Sequence, residues 1–279
     1  MLAELMEEDA TGEIAQIYKE IRETCAVPYV STLQRHMATC PGWLEWTWAA
    51  TRPAFLDGSA PAAAWDAAAK VEVEPLPKLS RSALRVLGVD AAGERSIRAV
   101  ADLFIRVSPT NLMLSGLLRM LLAGQRPDGH GPERLAQAAN APSPKPLPPL
   151  PSIIHPDELT GDVRAVLMQF GADVGGQPFV PGLYRMLGHW PGYLAHLATV
   201  LVPRFDHAAT KASCTDLLAR IDATVPDVFA KLPELPAMPP IPPAGEFDYM
   251  ITATDRYRET SPEMVVFGTL IRDALPPPE

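Results

Sequence analysis

Two stretches of this chain share one frame at an offset of 150 residues. Residues 25–44 read CAVPYVSTLQRHMATCPGWL, and residues 175–194 read GGQPFVPGLYRMLGHWPGYL. Other segments recur in the same order around these two: TGEIAQIYKEI with TGDVRAVLMQF, and SPTNLMLSGLLRMLL with SPEMVVFGTLIRDAL. Chance would not preserve that order, so the sequence predicts two copies of one structural unit.

The pattern inside each copy is helical. The stretch IAQIYKEIRETC places Ile14, Ile17, Tyr18 and Ile21 on one stripe of a helix. Alternation of period two is nearly absent, and its one candidate, VEVEPLP at 71–77, contains prolines that demote it to an edge strand or a loop. We therefore predict an all-α fold, in which two tandem helical repeats form an intramolecular pseudo-dimer with a cleft between them.

Proline-rich runs suggest where the repeats end. The run APSPKPLPPLPSIIHP at 141–156 is typical of a stiff, extended connector. It divides the chain into a first helical repeat at 1–140, the connector at 141–156, and a second helical repeat at 157–279. A second proline-rich run, at 232–247, lies inside the second repeat.

Charge and patterning exclude several classes of partner. The net charge of −9 and the sequence pI of about 5.2 argue against nucleic-acid binding, which needs clustered Lys and Arg. The N-terminal stretch MLAELMEEDATGEI lacks the basic region of a signal peptide. The most apolar segment, LMLSGLLRMLLAG, is interrupted by Arg119 and is too short to cross a bilayer. The sequence thus predicts no nucleic-acid partner and no membrane association.

Neither the cysteines nor the histidines are spaced as metal ligands. The three cysteines show no CxxC spacing, which favours reduced thiols in a cytoplasmic protein. There is no HxxxH or HxH pattern, and Pro191 separates His189 from His196. His36 lies two residues from Gln34 and points elsewhere on a helix. We predict no metal site.

The two copies differ most at their short helices, and those differences are our first candidates for a site. Gln34 and Tyr184 are equivalent positions, one polar group from each repeat. They either bind a ligand in the cleft or satisfy each other as a buried pair. Asn111 in the SPTN segment has Met264 as its counterpart, which suggests a contact with ligand or water; the alternative is a residue that bonds nearby backbone.

Arginines occupy the same position of the frame in both copies, at Arg35 and Arg185. Repetition favours a structural role across the seam, and carboxylate binding by a planar guanidinium is the other interpretation. The aromatic run Trp43, Trp46 and Trp48 is more typical of packing than of a ligand cage.

The frames PFVP-x-x-YR-x-x-x-x-WPGYL, VPYV-x-x-x-x-RHMATCPGWL and SP-x-N-L resemble those of the group I 2-haloacid dehalogenases, over nearly the whole chain. The resemblance implies an all-helical pseudo-dimer with its active site between the repeats, and a homodimer. It also implies hydrolysis of the carbon–halogen bond of small 2-halocarboxylic acids. In that reaction an Asp activates a water that displaces the halide directly, with inversion and without a metal or an organic cofactor.

The sequence departs from the family at the base. As we align it, the catalytic Asp falls at Leu183, which cannot accept a proton, and Leu33 stands at the equivalent place in the first copy. No Asp or Glu lies between Asp173 and Asp206. Residues lining the family's pocket also differ, at Gln34 and Met37. We therefore expect the usual water attack to be absent.

Two functions follow as hypotheses. In the first, the chain acts on or binds a small carboxylic acid in an apolar pocket between the repeats. Another group than the usual Asp would activate the water, and Tyr184 and Asn111 are the candidates for that role. The polar edge of the pocket comprises Gln34, Asn111, Tyr184 and Arg185. In the alternative, the same scaffold is a re-purposed, non-hydrolytic enzyme, such as an isomerase or cyclase, or a protein that binds a small hydrophobic ligand. A wider pocket lined by Met37, Leu183 and Phe267 would favour that alternative.

Overall fold

The computed structural model describes residues 4–127, 150–174, 177–235 and 244–278. Within them, the chain up to residue 127 forms helices α1 to α6: α1 Gly12–Cys25, α2 Thr32–Met37, α3 Trp43–Leu56, α4 Ser59–Ala68, α5 Arg81–Val86 and α6 Ala91–Leu122. We call this part the first half. The second half, from residue 150, forms a 3-10 turn at Pro156–Glu158 and then α7 Gly161–Met168, β1 Ala172–Val174, β2 Gln177–Phe179, α8 Gly182–Leu187, α9 Pro191–Phe205, α10 Ala208–Phe229 and α11 Ala244–Ala274.

The predicted all-α class is confirmed. The described strands are β1 and β2, which pair antiparallel as one short hairpin with Ala172 opposite Phe179. The predicted strand candidate at 71–77 has no regular secondary structure, because its prolines cannot donate to a ladder. Most of the predicted connector, residues 141–149, lies outside the described residues, as does the part of the second proline-rich run at 236–243.

Helices of matched length recur along the chain. The short helices α2 and α8 have six residues each and start 150 residues apart, while α6 and α11 have 32 and 31 residues. Each long helix contains a proline, Pro109 or Pro262, at the serine–proline pair of its repeated segment. The repeated sequence segments thus form helices of matched length. The domain boundaries at 140 and 157 stay a prediction.

The two long helices form the centre of the core. Apolar side chains such as Met113 and Leu117 on α6 and Val266 on α11 are almost fully buried, and α6 packs along α11. The helices come close at Gly268, where an added Cβ would lie 3.2 Å from the Ala101 carbonyl oxygen. Only a glycine allows that separation without a shift of the backbone.

The predicted packing role of the tryptophans on α3 agrees with their burial, at 1% exposed for Trp43, 5% for Trp46 and 3% for Trp48. The rings of Trp43 and Trp46 meet edge to face at 5.7 Å between centroids. Trp48 Nε1 donates to Glu20 Oε2 at 2.8 Å, which ties α3 to α1. Of the helices that the structure describes, none is both long and apolar enough to cross a membrane.

Candidate functional site

Each short helix packs against the long helix of the opposite half. Helix α2 contacts α11, and α8 contacts α6, so both halves contribute to the seam between them. Partly buried polar residues from both halves are linked there by hydrogen bonds or electrostatic interaction: Tyr29, Arg35, Asn111, Arg185 and Tyr257. We call these five residues the seam cluster.

The long helices contribute a group of interacting polar side chains to the seam cluster. The side chains of Ser261 and of Asn111 on α6 both interact with the Tyr257 phenol on α11. Burial raises the pKa of the Tyr257 phenol to about 12, although those interactions and the charge of Arg35 act in the opposite direction. Burial also raises the pKa of the nearby Tyr29. Both phenols are therefore neutral near pH 7 and can donate to an acceptor.

The short helices contribute the two arginines. Arg35 is anchored by Glu4, whose Oε2 accepts from Nε at 2.8 Å and lies 2.7 Å from Nη2, and by the Val30 carbonyl. Arg185 donates from Nε to the Ile154 carbonyl oxygen at 2.9 Å. Burial lowers the pKa of the Arg185 guanidinium; the Glu4 carboxylate opposes this, and the charge of Arg35 adds to it. Guanidinium groups from the two halves thus lie within electrostatic reach of each other.

Such a set can bind a carboxylate. Guanidinium groups, an amide and neutral phenols all donate hydrogen bonds to carboxylate oxygens, and bonds from charged donors are the stronger ones. Removal of the seam from bulk water strengthens each of these interactions. The Glu4 carboxylate accepts a hydrogen bond from Arg35, so it helps to position the Arg35 side chain of the seam cluster.

Two of the predicted pocket residues lie inside the first half. Gln34 and Met37 line a cavity of about 10 Å³ with residues of α3 and α6, which is room for about one water. Gln34 is 3% exposed, and its Oε1 accepts from the backbone nitrogen of Ser31 at 3.2 Å and from the Ser31 hydroxyl at 2.9 Å. Its polar atoms therefore cap α2, and its surroundings are the first half's own core.

The residues predicted on the other side of the cleft lie in an aromatic cluster of the second half. Tyr184 stacks on Phe170 at 4.4 Å between centroids, and Phe205 meets Phe267 at 4.8 Å. Leu183 is fully buried, at 0% exposed. Tyr184 and Gln34 thus have different neighbours, each in its own half. Of the predicted site residues, Asn111 and Arg185 belong to the seam cluster, Asn111 through Tyr257 and Arg185 through Arg35; the ligand-binding roles stay predictions.

Other titratable groups surround the Tyr184 hydroxyl. Burial is the main cause that raises the pKa of Tyr184, and the nearby Glu263 and Cys214 raise it further. Burial also raises the pKa of the Glu263 carboxyl, against the charge of Lys211, and it raises the pKa of the Cys214 thiol to about 12. The Tyr184 hydroxyl is buried and has no hydrogen-bond partner among the described residues.

His36 and His189 have different surroundings. His36 is buried, and His189 Nε2 lies 3.0 Å from the Ser152 carbonyl oxygen at the surface. Burial lowers the pKa of His196. Within the described ranges, no three or more His, Cys, Asp or Glu side chains are grouped so that they could hold a metal ion.

The sequence analysis missed Tyr29, Tyr257 and Glu4. A signal existed for Tyr257, because it precedes Ser261 by four residues, one helical turn, and Ser261 begins the segment that is the counterpart of the one containing Asn111. Glu4 lies in an N-terminal stretch without a counterpart in the repeat. Nothing in the sequence pattern indicated that this stretch reaches Arg35.

Comparisons with known proteins agree on one kind of relative. No protein-family model matches the chain. It is 27% identical over 195 residues to a configuration-inverting 2-haloacid dehalogenase of Alcaligenes xylosoxydans xylosoxydans, which covers 68% of this chain and 65% of that protein. It is 24% identical over 226 residues to an (R)-2-haloacid dehalogenase of Pseudomonas putida, over 77% of this chain and 72% of the relative. The chain therefore spans slightly less than two thirds of the first of these proteins.

Solved structures share the fold. A D-2-haloacid dehalogenase mutant in complex with D-2-CPA superposes with a TM-score of 0.76 at 20% identity, over 98% of this chain and 96% of that chain. A D-2-haloacid dehalogenase in complex with L-LA gives a TM-score of 0.72 at the same identity and coverage. The architecture described above is thus that of a known helical enzyme fold.

Proposed function

Because the chain is related in sequence to the group I 2-haloacid dehalogenases and shares their fold, we propose that it binds a small 2-halocarboxylic acid, or an acid of similar size, at the seam cluster. The observation that carries the proposal is that Asn111 on α6 and Tyr257 on α11 interact through their side chains within electrostatic reach of Arg35 on α2. A guanidinium and neutral donors from both halves are the groups that a carboxylate needs.

The chemistry at the bound acid depends on position 183. In the reaction that the resemblance implies, the water oxygen bonds to C2, the halide leaves with the bonding electrons, and a carboxylate takes the proton. Our alignment places Leu183 at the position of that carboxylate, and the Leu183 side chain is fully buried. We therefore propose that the chain holds its acid without efficient water attack. This favours the alternative of a non-hydrolytic enzyme or a binding protein on the same scaffold.

Calorimetry and halide release test the two steps separately. We expect both enantiomers of 2-chloropropionate to give measurable heats of binding, with halide release at or near the background rate. Binding with fast halide release would show that another group activates water, and the argument from Leu183 would be wrong. If neither enantiomer binds, the proposal that the seam cluster binds a small carboxylic acid is wrong.

A matched pair of tyrosine variants locates the binding. Tyr257→Phe removes one donor from the seam cluster, and we expect a loss of about fivefold to tenfold in affinity, as for a hydrogen bond worth about 1 kcal/mol. Tyr193→Phe is the control, since Tyr193 is also a buried phenol but lies on α9, outside the seam cluster. Equal affinities for both variants and the unmodified protein would place the acid elsewhere.

A further inference from the structure

A groove of about 320 Å³ lies between the C-terminal third of α6, helix α10 and helix α11. Its lining includes Met120 on α6, Ala123 directly after α6 and Val225 on α10, together with the charged side chains of Arg119, Asp222 and Arg258. The volume is at the small end of the roughly 300–1,000 Å³ typical of ligand sites. We call this space the groove.

Arg258 forms part of the lining of the groove. It is 3% exposed, its Nη1 donates to the Leu112 carbonyl oxygen and to the Ser115 hydroxyl, both at 2.8 Å, and its Nη2 pairs with Asp222. Its Nε is a buried donor that has no partner among the described residues. Gly116 lets this guanidinium lie against α6, because an added Cβ would be 3.2 Å from Arg258 Nη1. Arg258 is therefore a fixed cation in the wall of the groove, with its charge paired and Nη1 and Nη2 both hydrogen-bonded.

Arg119 also lines the groove and supplies the more accessible charge. Its Nε pairs with Asp255 Oδ1 at 3.0 Å, and the two side chains are 57% and 44% exposed. An exposed ion pair of this kind contributes little stability, so Arg119 can exchange Asp255 for the carboxylate of a ligand at small cost. The charge of Arg258 is already compensated by Asp222. Arg119 is therefore the group that would select an anion.

We infer that the groove binds a medium-chain aliphatic monocarboxylate, with its carboxylate at Arg119 and its hydrocarbon chain along Met120, Ala123 and Val225. Apolar walls beside an exchangeable guanidinium match one apolar end and one anionic end. A dicarboxylate would leave its second charge against the apolar walls.

The groove is distinct from the seam cluster. Tyr257 and Arg258 are consecutive on α11, so their side chains diverge by about 100° around the helix. None of the residues that line the groove belongs to the seam cluster, and its lining on α6 starts at Gly116, five residues after Asn111. Occupation of the groove is thus separate from occupation of the proposed acid site, and variants can address each alone.

Isothermal titration of the full chain with sodium octanoate tests the inference. We expect one site in the millimolar range or tighter. Ala123→Trp fills the groove from its exposed end and should weaken binding at least tenfold. Arg119→Gln should weaken it about threefold to fivefold, as for one exposed charge-assisted contact. Arg95→Gln, an exposed arginine on α6 outside the groove, is the matched control and should leave the affinity unchanged.

Three outcomes would overturn the inference: no binding of octanoate up to about 20 mM, affinity unchanged in Ala123→Trp, or octan-1-ol bound as tightly as octanoate. Tyr257→Phe separates this test from the proposed function. It should weaken 2-chloropropionate without changing octanoate, and Ala123→Trp should do the reverse. Parallel losses of both ligands in either variant would show a single shared site and would also overturn the inference.

Discussion

The short helices α2 and α8 occupy equivalent places in the two halves, but different contacts stabilise their first turns. In α2 the first turn is closed by a capping box, in which the Ser31 hydroxyl accepts from the Gln34 backbone nitrogen at 3.3 Å and Gln34 Oε1 accepts in return. In α8, Pro181 precedes the helix without a side-chain cap, and Tyr184 stacks on Phe170 instead. One position carries a satisfied polar group, and its counterpart carries a buried phenol without a partner among the described residues.

The difference between α2 and α8 shows which of their residues belong to the seam cluster and which lie in the core of one half. The position that varies, Gln34 or Tyr184, faces the interior of its own half. The position that recurs, Arg35 or Arg185, belongs to the seam cluster, and the two charges influence each other. The two arginines of the seam cluster are therefore repeated residues, whereas the difference between Gln34 and Tyr184 first changes the stability of each half.

The largest effect should come from a charge at Leu183, the position of α8 that our alignment predicts to correspond to the family's base. Leu183→Asp places a carboxylate at a site that is 0% exposed, and an unpaired buried charge should cost about 3 kcal/mol or more in the free energy of unfolding. Urea unfolding at pH 8 and pH 4 measures it, with a smaller loss at pH 4 because the introduced carboxyl is neutral there.

Two further variants control that experiment. Leu183→Met keeps the volume and should cost under about 1.5 kcal/mol, and Leu33→Asp should match Leu183→Asp because Leu33 is equally enclosed, at 3% exposed. A loss below about 1 kcal/mol for Leu183→Asp would show that position 183 reaches water or a partner. In that case halide release by the same variant becomes the informative measurement.

A medium effect is expected at the capped helix. Gln34→Ala removes the acceptor that binds both polar groups of Ser31, and we expect a loss of about 1 kcal/mol in the free energy of unfolding. Gln16→Ala on the exposed face of α1 is the control, with a change within about 0.5 kcal/mol. Equal values for the two variants would mean that the capping box contributes nothing measurable.

The opposite sign is expected at the equivalent position of α8. Tyr184→Phe removes a buried hydroxyl that has no partner among the described residues, so it should leave stability unchanged or raise it by up to about 1 kcal/mol. Tyr18→Phe is the matched contrast, because the Tyr18 hydroxyl donates to the Leu5 carbonyl oxygen at 2.9 Å and its removal should cost about 1 kcal/mol. A clear loss for Tyr184→Phe would reveal a partner of its hydroxyl and make the two short helices alike.

Much of the architecture was predictable because prolines and apolar stripes act locally. The stripe from Ile14 to Ile21 predicted α1, and Pro191 begins α9 as the repeated frame indicated. The hairpin β1–β2 was not predicted, since its segment has neither alternation nor length. Local sequence patterns predicted the helices and the positions where they end. These patterns did not distinguish a short hairpin from an irregular loop.

The site was less predictable, because it depends on which way side chains at consecutive positions point. We expected Gln34 and Tyr184 to face one cleft, since both are polar and equivalent. The structure surrounds each with its own half's core and brings Arg35 and Arg185, one position farther along, into reach of each other. A rotation of about 100° on a six-residue helix decides this, and no periodicity can be measured over so few residues.

The smallest effect concerns protons near Tyr184. The pKa of the folded-state Glu263 carboxyl is raised mainly by burial, so the folded chain binds more protons than the unfolded chain above the ordinary carboxyl range. The associated stability is present at lower pH and is lost as the pH rises through the folded-state value. The groups near it are Tyr184, Cys214 and Lys211. The pKa values of Tyr184 and Cys214 are both raised, so these two side chains stay neutral between pH 4 and pH 7.

Thermal unfolding from pH 4 to pH 7 tests this dependence. Glu263→Gln should remove part of the fall in stability with rising pH, by less than about 1 kcal/mol in total, and should match the unmodified protein at pH 4. Glu259→Gln, an exposed carboxylate one turn earlier on α11, should leave the pH profile as it is. If Glu263→Gln also leaves the profile unchanged, the carboxyl titrates as it does in water. The Tyr184 phenol would then have no carboxyl with a raised pKa beside it.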